Sequence, residues 1–174
     1  TLRADHLAVY GYGRDTAPHL TEIASSGTVF DAAYSTSSWT VPALASLVSG
    51  VYPPPHRVVH GIAADDLIFA QEILSERHVT IAERLKSAGH ATGFFGKWHL
   101  YGHNNRAFVP REERGRFDIW IGYENNNKQY DSWVHGHDIW GRNDQQTDTE
   151  KLEGYETDAL TDKLIDFLNK RPKD

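Results

Sequence analysis

Apolar residues return every three or four positions in four stretches of this chain, and the spacing predicts four helices. In residues 16–27, Leu20, Ile23 and Ala24 share a face, Thr16 is placed to cap, Pro18 sits in the first turn and Gly27 ends the run. In residues 42–50, Pro42 opens the pattern, Leu44, Leu47 and Val48 lie together, and Gly50 closes it. Residues 78–87 place Ile81, Leu85 and then Ala88 on one side, with Glu83 and Lys86 outward and Gly89 as terminator. Residues 157–169 turn Leu160, Leu164, Phe167 and Leu168 inward. Two shorter apolar runs, residues 28–34 and 90–95, read as strands.

A helix, a glycine and an apolar strand in succession form the αβ half of a βαβ unit, which points to an α/β fold with a mixed, mostly parallel sheet between helices. The segment Gly96-Lys97-Trp98-His99-Leu100-Tyr101-Gly102-His103 follows the 90–95 strand directly. It thus lies past a strand's C-terminal end, where open α/β sheets hold their ligands. Residues 104–146 are polar, aromatic-rich and punctuated by glycine; they read as a long irregular insertion beside the site rather than as disorder.

Length and composition narrow the picture. A chain of 174 residues is enough for one domain with a core, and a net charge of −6 argues against a nucleic-acid binder. No apolar run is long enough for a membrane span. The absence of cysteine excludes disulfides, thiolate metal sites and a cysteine nucleophile. Methionine is absent too, and the expectation is an interior piece of a longer protein whose remaining site residues lie elsewhere.

Three residues carry candidate chemistry. Thr40 precedes the 42–50 helix, where free N–H groups and the helix dipole favour an anion. Its hydroxyl is either a helix cap or a nucleophile, and the second role needs an activating base or metal. Lys97 and His99 stand at i and i+2; on an extended strand both point to one side, so a cation and an imidazole could converge on one anionic group. The plainer alternative is a surface lysine and a packed histidine. His99 and His103 at i, i+4 would suit zinc only on a helix, which Gly96 and Gly102 oppose. His135-Gly136-His137 offers only two ligands, and Asp65-Asp66 reads as a solvated charge pair.

These motifs carry a resemblance. Thr1-Leu2-Arg3-Ala4-Asp5-His6-Leu7, Tyr10-Gly11-Tyr12, the 16–27 helix and Phe30 to Tyr34 resemble the start of the sulfatase family, within the alkaline phosphatase-like superfamily. Residues 40–53, Thr-Val-Pro-Ala-Leu-Ala-Ser-Leu-Val-Ser-Gly-Val-Tyr-Pro, resemble the signature around that family's nucleophile. Gly96-Lys97-Trp98-His99-Leu100 matches the second signature, and residues 157–162 are also similar; residues 104–146 are covered least. The resemblance implies a partial alkaline phosphatase-like fold, with residues 1–174 an incomplete N-terminal catalytic domain lacking its first strand and its later half.

The implied activity is metal-dependent hydrolysis of sulfuric esters, on a small-molecule or glycan sulfate ester. Thr40 stands in the nucleophile and metal-ligand position, and Lys97 and His99 bind the sulfate and leaving-group oxygens. The implied metal is calcium, with magnesium or manganese as alternatives. The chain departs from the pattern twice. The family's nucleophile is a cysteine or serine converted to formylglycine, which Thr40 cannot become; and the arginine four residues on is Leu44. Threonine serves as nucleophile in related phosphate-ester enzymes. Two further readings therefore stand: a phosphate or phosphonate ester hydrolase or transferase using Thr40, and an inactive protein that binds sulfated or phosphorylated ligands, with Trp120, Trp133 and Trp140 as candidate glycan contacts. The expected metal site is incomplete: its first aspartate would precede Thr1, Asp5 takes no ligand role, and the remaining ligands would follow Asp174.

Overall fold

The computed structural model describes residues 2–53, 78–101, 108–126, 128–137 and 149–170. Asp65, Asp66, His103, Asn127 and Trp140 lie outside the described residues. The chain divides into two units, Thr1–Ser35 and Thr36–Asp174.

The first unit holds two single-turn 3-10 helices, Ala4–His6 and Ala8–Tyr10, followed by α1, Pro18–Ser26. Thr16 does not cap α1. Ala17 holds the N-cap position, and the Thr16 hydroxyl donates instead to the His6 carbonyl, tying α1 back to the first turn. The 28–34 run is no strand: Asp31 and Ala32 form a turn, and the Phe30 carbonyl accepts the Tyr10 hydroxyl at 3.1 Å. Leu20 and Ile23, expected to face a core, are exposed. So short a unit has too little chain to enclose a core of its own.

The second unit is a four-stranded mixed sheet with helices on both faces. Its helices are α2 (Thr40–Ser49), α3 (Ile81–Ser87) and α4 (Glu156–Lys170). Its strands are β1 (Gly93–Lys97), β2 (Ile119–Tyr123), β3 (Trp133–His137) and β4 (Glu150–Lys151), adjacent in that order. β1 pairs with β2 in parallel, Phe94 opposite Trp120; β3 and β4 add antiparallel pairings. Residues 104–146 are therefore not an irregular insertion, since they supply β2 and β3. The run Ile119-Trp120-Ile121-Gly122-Tyr123 is apolar without alternation because the strand is buried on both faces.

Successive residues of β2 point to opposite faces. Trp120 joins Val41, Ala45 and Val48 of α2 with Trp98, Leu100 and Val109. Ile119, Ile121 and Tyr123 pack with Val134, Leu152 and Phe167, the last from α4. α2 buries Val41, Ala45 and Val48, while Leu47, expected inside, is 68% exposed. On α4 the buried stripe runs through Ala159, Leu160 and Phe167, and Leu164 and Leu168 lie outside it.

α3 is held by its polar side. The Thr80 side chain accepts the Glu83 N–H and the Glu83 carboxylate accepts the Thr80 N–H, a capping box. Glu83 also pairs with Arg116 at 2.8 Å and Lys86 with Asp118 at 2.6 Å. The expected inward residues Ile81 and Leu85 are exposed, and Ala82 is buried instead. Asp118 also accepts the Thr92 N–H and hydroxyl, at 3.0 and 2.9 Å, which fixes the start of the β1–β2 pairing.

Candidate active site

Thr40 is exposed as the first residue of α2. The cap position belongs to Trp39, which makes no side-chain capping bond, so the Thr40 hydroxyl is not used as a cap. Pro42 is compatible with the first turn because the N–H it lacks has no helical partner there. Gly50 closes the helix in the left-handed region (φ 70°), its N–H bonded to the Ser46 carbonyl at 2.8 Å.

β1 delivers Lys97 at its last position. The chain beyond it stays bonded to the end of β2: Trp98 N–H donates to the Tyr123 carbonyl (2.8 Å) and His99 N–H to the Glu124 carbonyl (2.7 Å). His99 then turns into the left-handed region (φ 55°), so strand alternation does not set its direction as the i, i+2 spacing had implied. Trp98 and Leu100 on either side are fully buried in the α2 cluster. They anchor the turn while Lys97 and His99 remain half-buried. A non-glycine residue held left-handed between two buried neighbours is backbone strain of the kind concentrated at functional sites.

The electrostatics follow from burial. Desolvation lowers the pKa of Lys97, and the nearby Glu124 carboxylate opposes that effect. Burial, with a smaller contribution from the Lys97 charge, lowers His99 to about 4, so its imidazole is neutral at neutral pH. His99 Nδ1 is buried and has no hydrogen-bond partner among the described residues. Because an unpaired lone pair costs less than an unpaired buried N–H, we assign the proton to Nε2. The arrangement offers a cation and a neutral N–H donor side by side, suited to an oxyanion and to the oxygen leaving it.

The structure thus brings Lys97 and His99 together, and it places Thr40 beside Val41, which packs in the same cluster as Trp98 and Leu100. It does not bear out the histidine pairs as zinc sites. His99 is not helical, and His135 Nε2 accepts the Val109 N–H at 3.0 Å, which uses the lone pair a metal would need. Trp120 is fully buried and unavailable to a glycan, and Trp133 is half-buried. Among the described residues no group of three or more His, Asp or Glu side chains gathers as a metal site. One threonine hydroxyl is too small a donor set for calcium, which takes six to eight oxygens. No step is therefore assigned to a metal within this chain.

Glu124 was missed by sequence reasoning. It follows the apolar run of β2 directly, so the rule that singled out Lys97, the end of a strand, would have found it had 119–123 been read as a strand.

The sulfatase family model matches residues 1–174. The chain belongs to the sulfatase family. It is 31% identical over 175 residues to an ulvan-active sulfatase of Formosa agariphila, covering 96% of this chain and 30% of that protein. It is 38% identical over 94 residues to an N-acetylgalactosamine-6-O-sulfatase of Bacteroides thetaiotaomicron, covering 54% of this chain and 18% of that one. Human arylsulfatase A is 33% identical over 104 residues, covering 60% and 20%. A structure solved with its substrate D-glucosamine-2-N,6-O-disulfate superposes with a TM-score of 0.71 at 24% identity, covering 98% of this chain and 29% of that one; this likeness is one of fold. The chain spans less than a third of the length of these three curated relatives. The α/β sandwich is the sulfatase, alkaline phosphatase-like architecture in part. None of the described helices is long and apolar enough to cross a membrane.

Proposed function

We propose that the protein carrying this chain hydrolyses sulfate esters of sugars and that residues 1–174 form the N-terminal part of its catalytic domain. The observation that carries the reading is the strained turn that sets the Lys97 cation beside neutral His99, in a chain of the sulfatase family. Relatives named as an ulvan-active sulfatase and an N-acetylgalactosamine-6-O-sulfatase support the substrate class. Lys97 neutralises sulfate oxygens. His99 donates Nε2–H to the ester oxygen that departs when its bond to sulfur breaks, and water supplies the oxygen of the released sulfate. Thr40 stands at the nucleophile position and contributes its hydroxyl to a divalent metal site, calcium by family likeness with magnesium or manganese as alternatives, completed by ligands from outside the chain. Because Thr40 cannot become formylglycine, a phosphate or phosphonate ester is the second substrate class to test.

The test compares aryl sulfate, aryl phosphate and sulfated N-acetylhexosamine as substrates for the full-length protein with added calcium, magnesium or manganese, in wild type and Thr40→Ala. Sulfate-ester turnover lost in Thr40→Ala is expected. Turnover confined to the phosphate ester replaces the proposal with the second class. No turnover of any ester, with inorganic sulfate still bound, marks a binding protein.

A further inference from the structure

Glu124 lies at the C-terminal end of β2, opposite the turn that carries Lys97 and His99, and is fully buried. It touches that turn at two levels. Its main-chain carbonyl accepts the His99 N–H at 2.7 Å, and its side-chain Oε2 accepts the Tyr101 N–H at 3.2 Å. The turn is thereby fastened before and after Leu100, which itself sits in the apolar cluster. A carboxylate removed from water is costly unless opposite charge and N–H donors compensate it. Here Lys97 supplies the charge, and Tyr101 supplies a donor. The residue type matters for this reason: glutamine would serve the Tyr101 bond equally well, but only a carboxylate also carries the charge that opposes the burial of Lys97.

We propose that Glu124 is a positioning residue for the anion clamp, its carbonyl and carboxylate holding the 97–101 turn in its left-handed form with a negative charge set near Lys97. The proposal rests on the sulfate-ester reading for its consequence in turnover, but not for its effect on Lys97. Glu124 touches no reacting atom and acts through Lys97 and His99. Its charge offsets the burial of Lys97, which by itself favours the neutral amine and so weakens the grip on an anion.

The two consequences separate in one set of variants of the full-length protein. Reductive 13C-methylation of the lysines lets each ammonium be titrated by NMR, with the Lys97 signal identified by its loss in Lys97→Arg. In Glu124→Gln the Tyr101 bond is kept, the thermal midpoint stays near wild type, and the Lys97 signal titrates about one pH unit lower. Glu124→Asp keeps the charge and returns the titration towards the wild-type position. The alkaline limb of kcat/KM for a sulfate ester moves down with the NMR titration in Glu124→Gln, kcat/KM falling about tenfold above that limb. A Lys97 titration unchanged in Glu124→Gln, or one that Glu124→Asp fails to restore, overturns the proposal whatever the substrate proves to be. A shifted Lys97 titration with no sulfate-ester turnover in wild type leaves the positioning role standing and removes the sulfatase reading instead.

Discussion

On one face of β2, Trp120 packs beneath α2 among Trp98, Leu100 and Val41; on the other, Ile119, Ile121 and Tyr123 pack beneath α4 around Phe167. The two clusters are alike in size and burial but differ in what borders them. The α2 cluster contains the residues flanking His99 and the residue after Thr40, so its packing sets the position of every proposed reactive group. The α4 cluster is bordered by a polar latch: the Tyr123 hydroxyl donates to Glu156 at 2.6 Å, and the Ser132 hydroxyl donates to the other oxygen of that carboxylate. Between β4 and α4 runs a groove of about 620 Å³ whose lining includes Lys151, Asp158, Asp162 and Lys163, but not Thr40, Lys97 or His99. One face holds the proposed reactive groups in place, and the other holds the sheet together.

Substitutions sharpen this division, beginning with the residue both faces depend on. A Cβ at Gly136 would lie 1.8 Å from the Trp120 carbonyl, at a φ of 152°. Gly136→Ala should cost about 4 kcal/mol or more, seen as failure to recover folded protein or a collapsed urea midpoint. Phe167→Ala, confined to the α4 face, should cost about 3 kcal/mol in urea unfolding. The surviving folded fraction should retain its kcat/KM; a selective loss of catalysis would show that the faces are not separate. Thr80→Ala removes the cap of α3 and a buried bond from the Thr80 hydroxyl to the Gly115 carbonyl (2.9 Å). About 2 kcal/mol is expected, without a change in KM.

A further effect is a dependence on pH. His99 titrates near 4 in the folded chain and near 6.5 when unfolded, so between these values the unfolded chain binds the extra proton. Its contribution to stability is complete above about 6.5 and is lost as the pH falls through about 4. Urea midpoints measured across that window should fall less steeply in His99→Asn than in wild type. Equal slopes would mean that the imidazole is not desolvated.

How much of this was legible in the sequence follows from which interactions are local. α2, α3 and α4 were readable because caps, glycine stops and apolar spacing are written within a few residues. The side that each helix buries was less so. On α3, Ile81 and Leu85 have the right spacing yet stay exposed, because Glu83 and Lys86 find Arg116 and Asp118 about thirty residues on, and no local pattern announces such partners. β2 was hidden by the glycine-rich, polar sequence around it. With β2 unseen, Glu124 could not be recognised as a strand-end residue. Lys97 and His99 were found by motif, but the left-handed turn that presents His99 comes from the burial of Trp98 and Leu100 and from two bonds to Glu124. Whether Thr40 caps α2 was a question of one residue's register, and Trp39 takes the cap position; its role as nucleophile is left to the Thr40→Ala assay.

The most direct test of the account is the turnover of a sulfated sugar by Lys97→Ala in the full-length protein, measured beside its thermal midpoint. Removing a cation from an oxyanion clamp should lower kcat/KM by about 10²–10³-fold. The midpoint should hold, because Lys97 is only half-buried and belongs to neither apolar cluster. Turnover within a few-fold of wild type in a folded Lys97→Ala protein would contradict the assignment of this turn as the anion clamp.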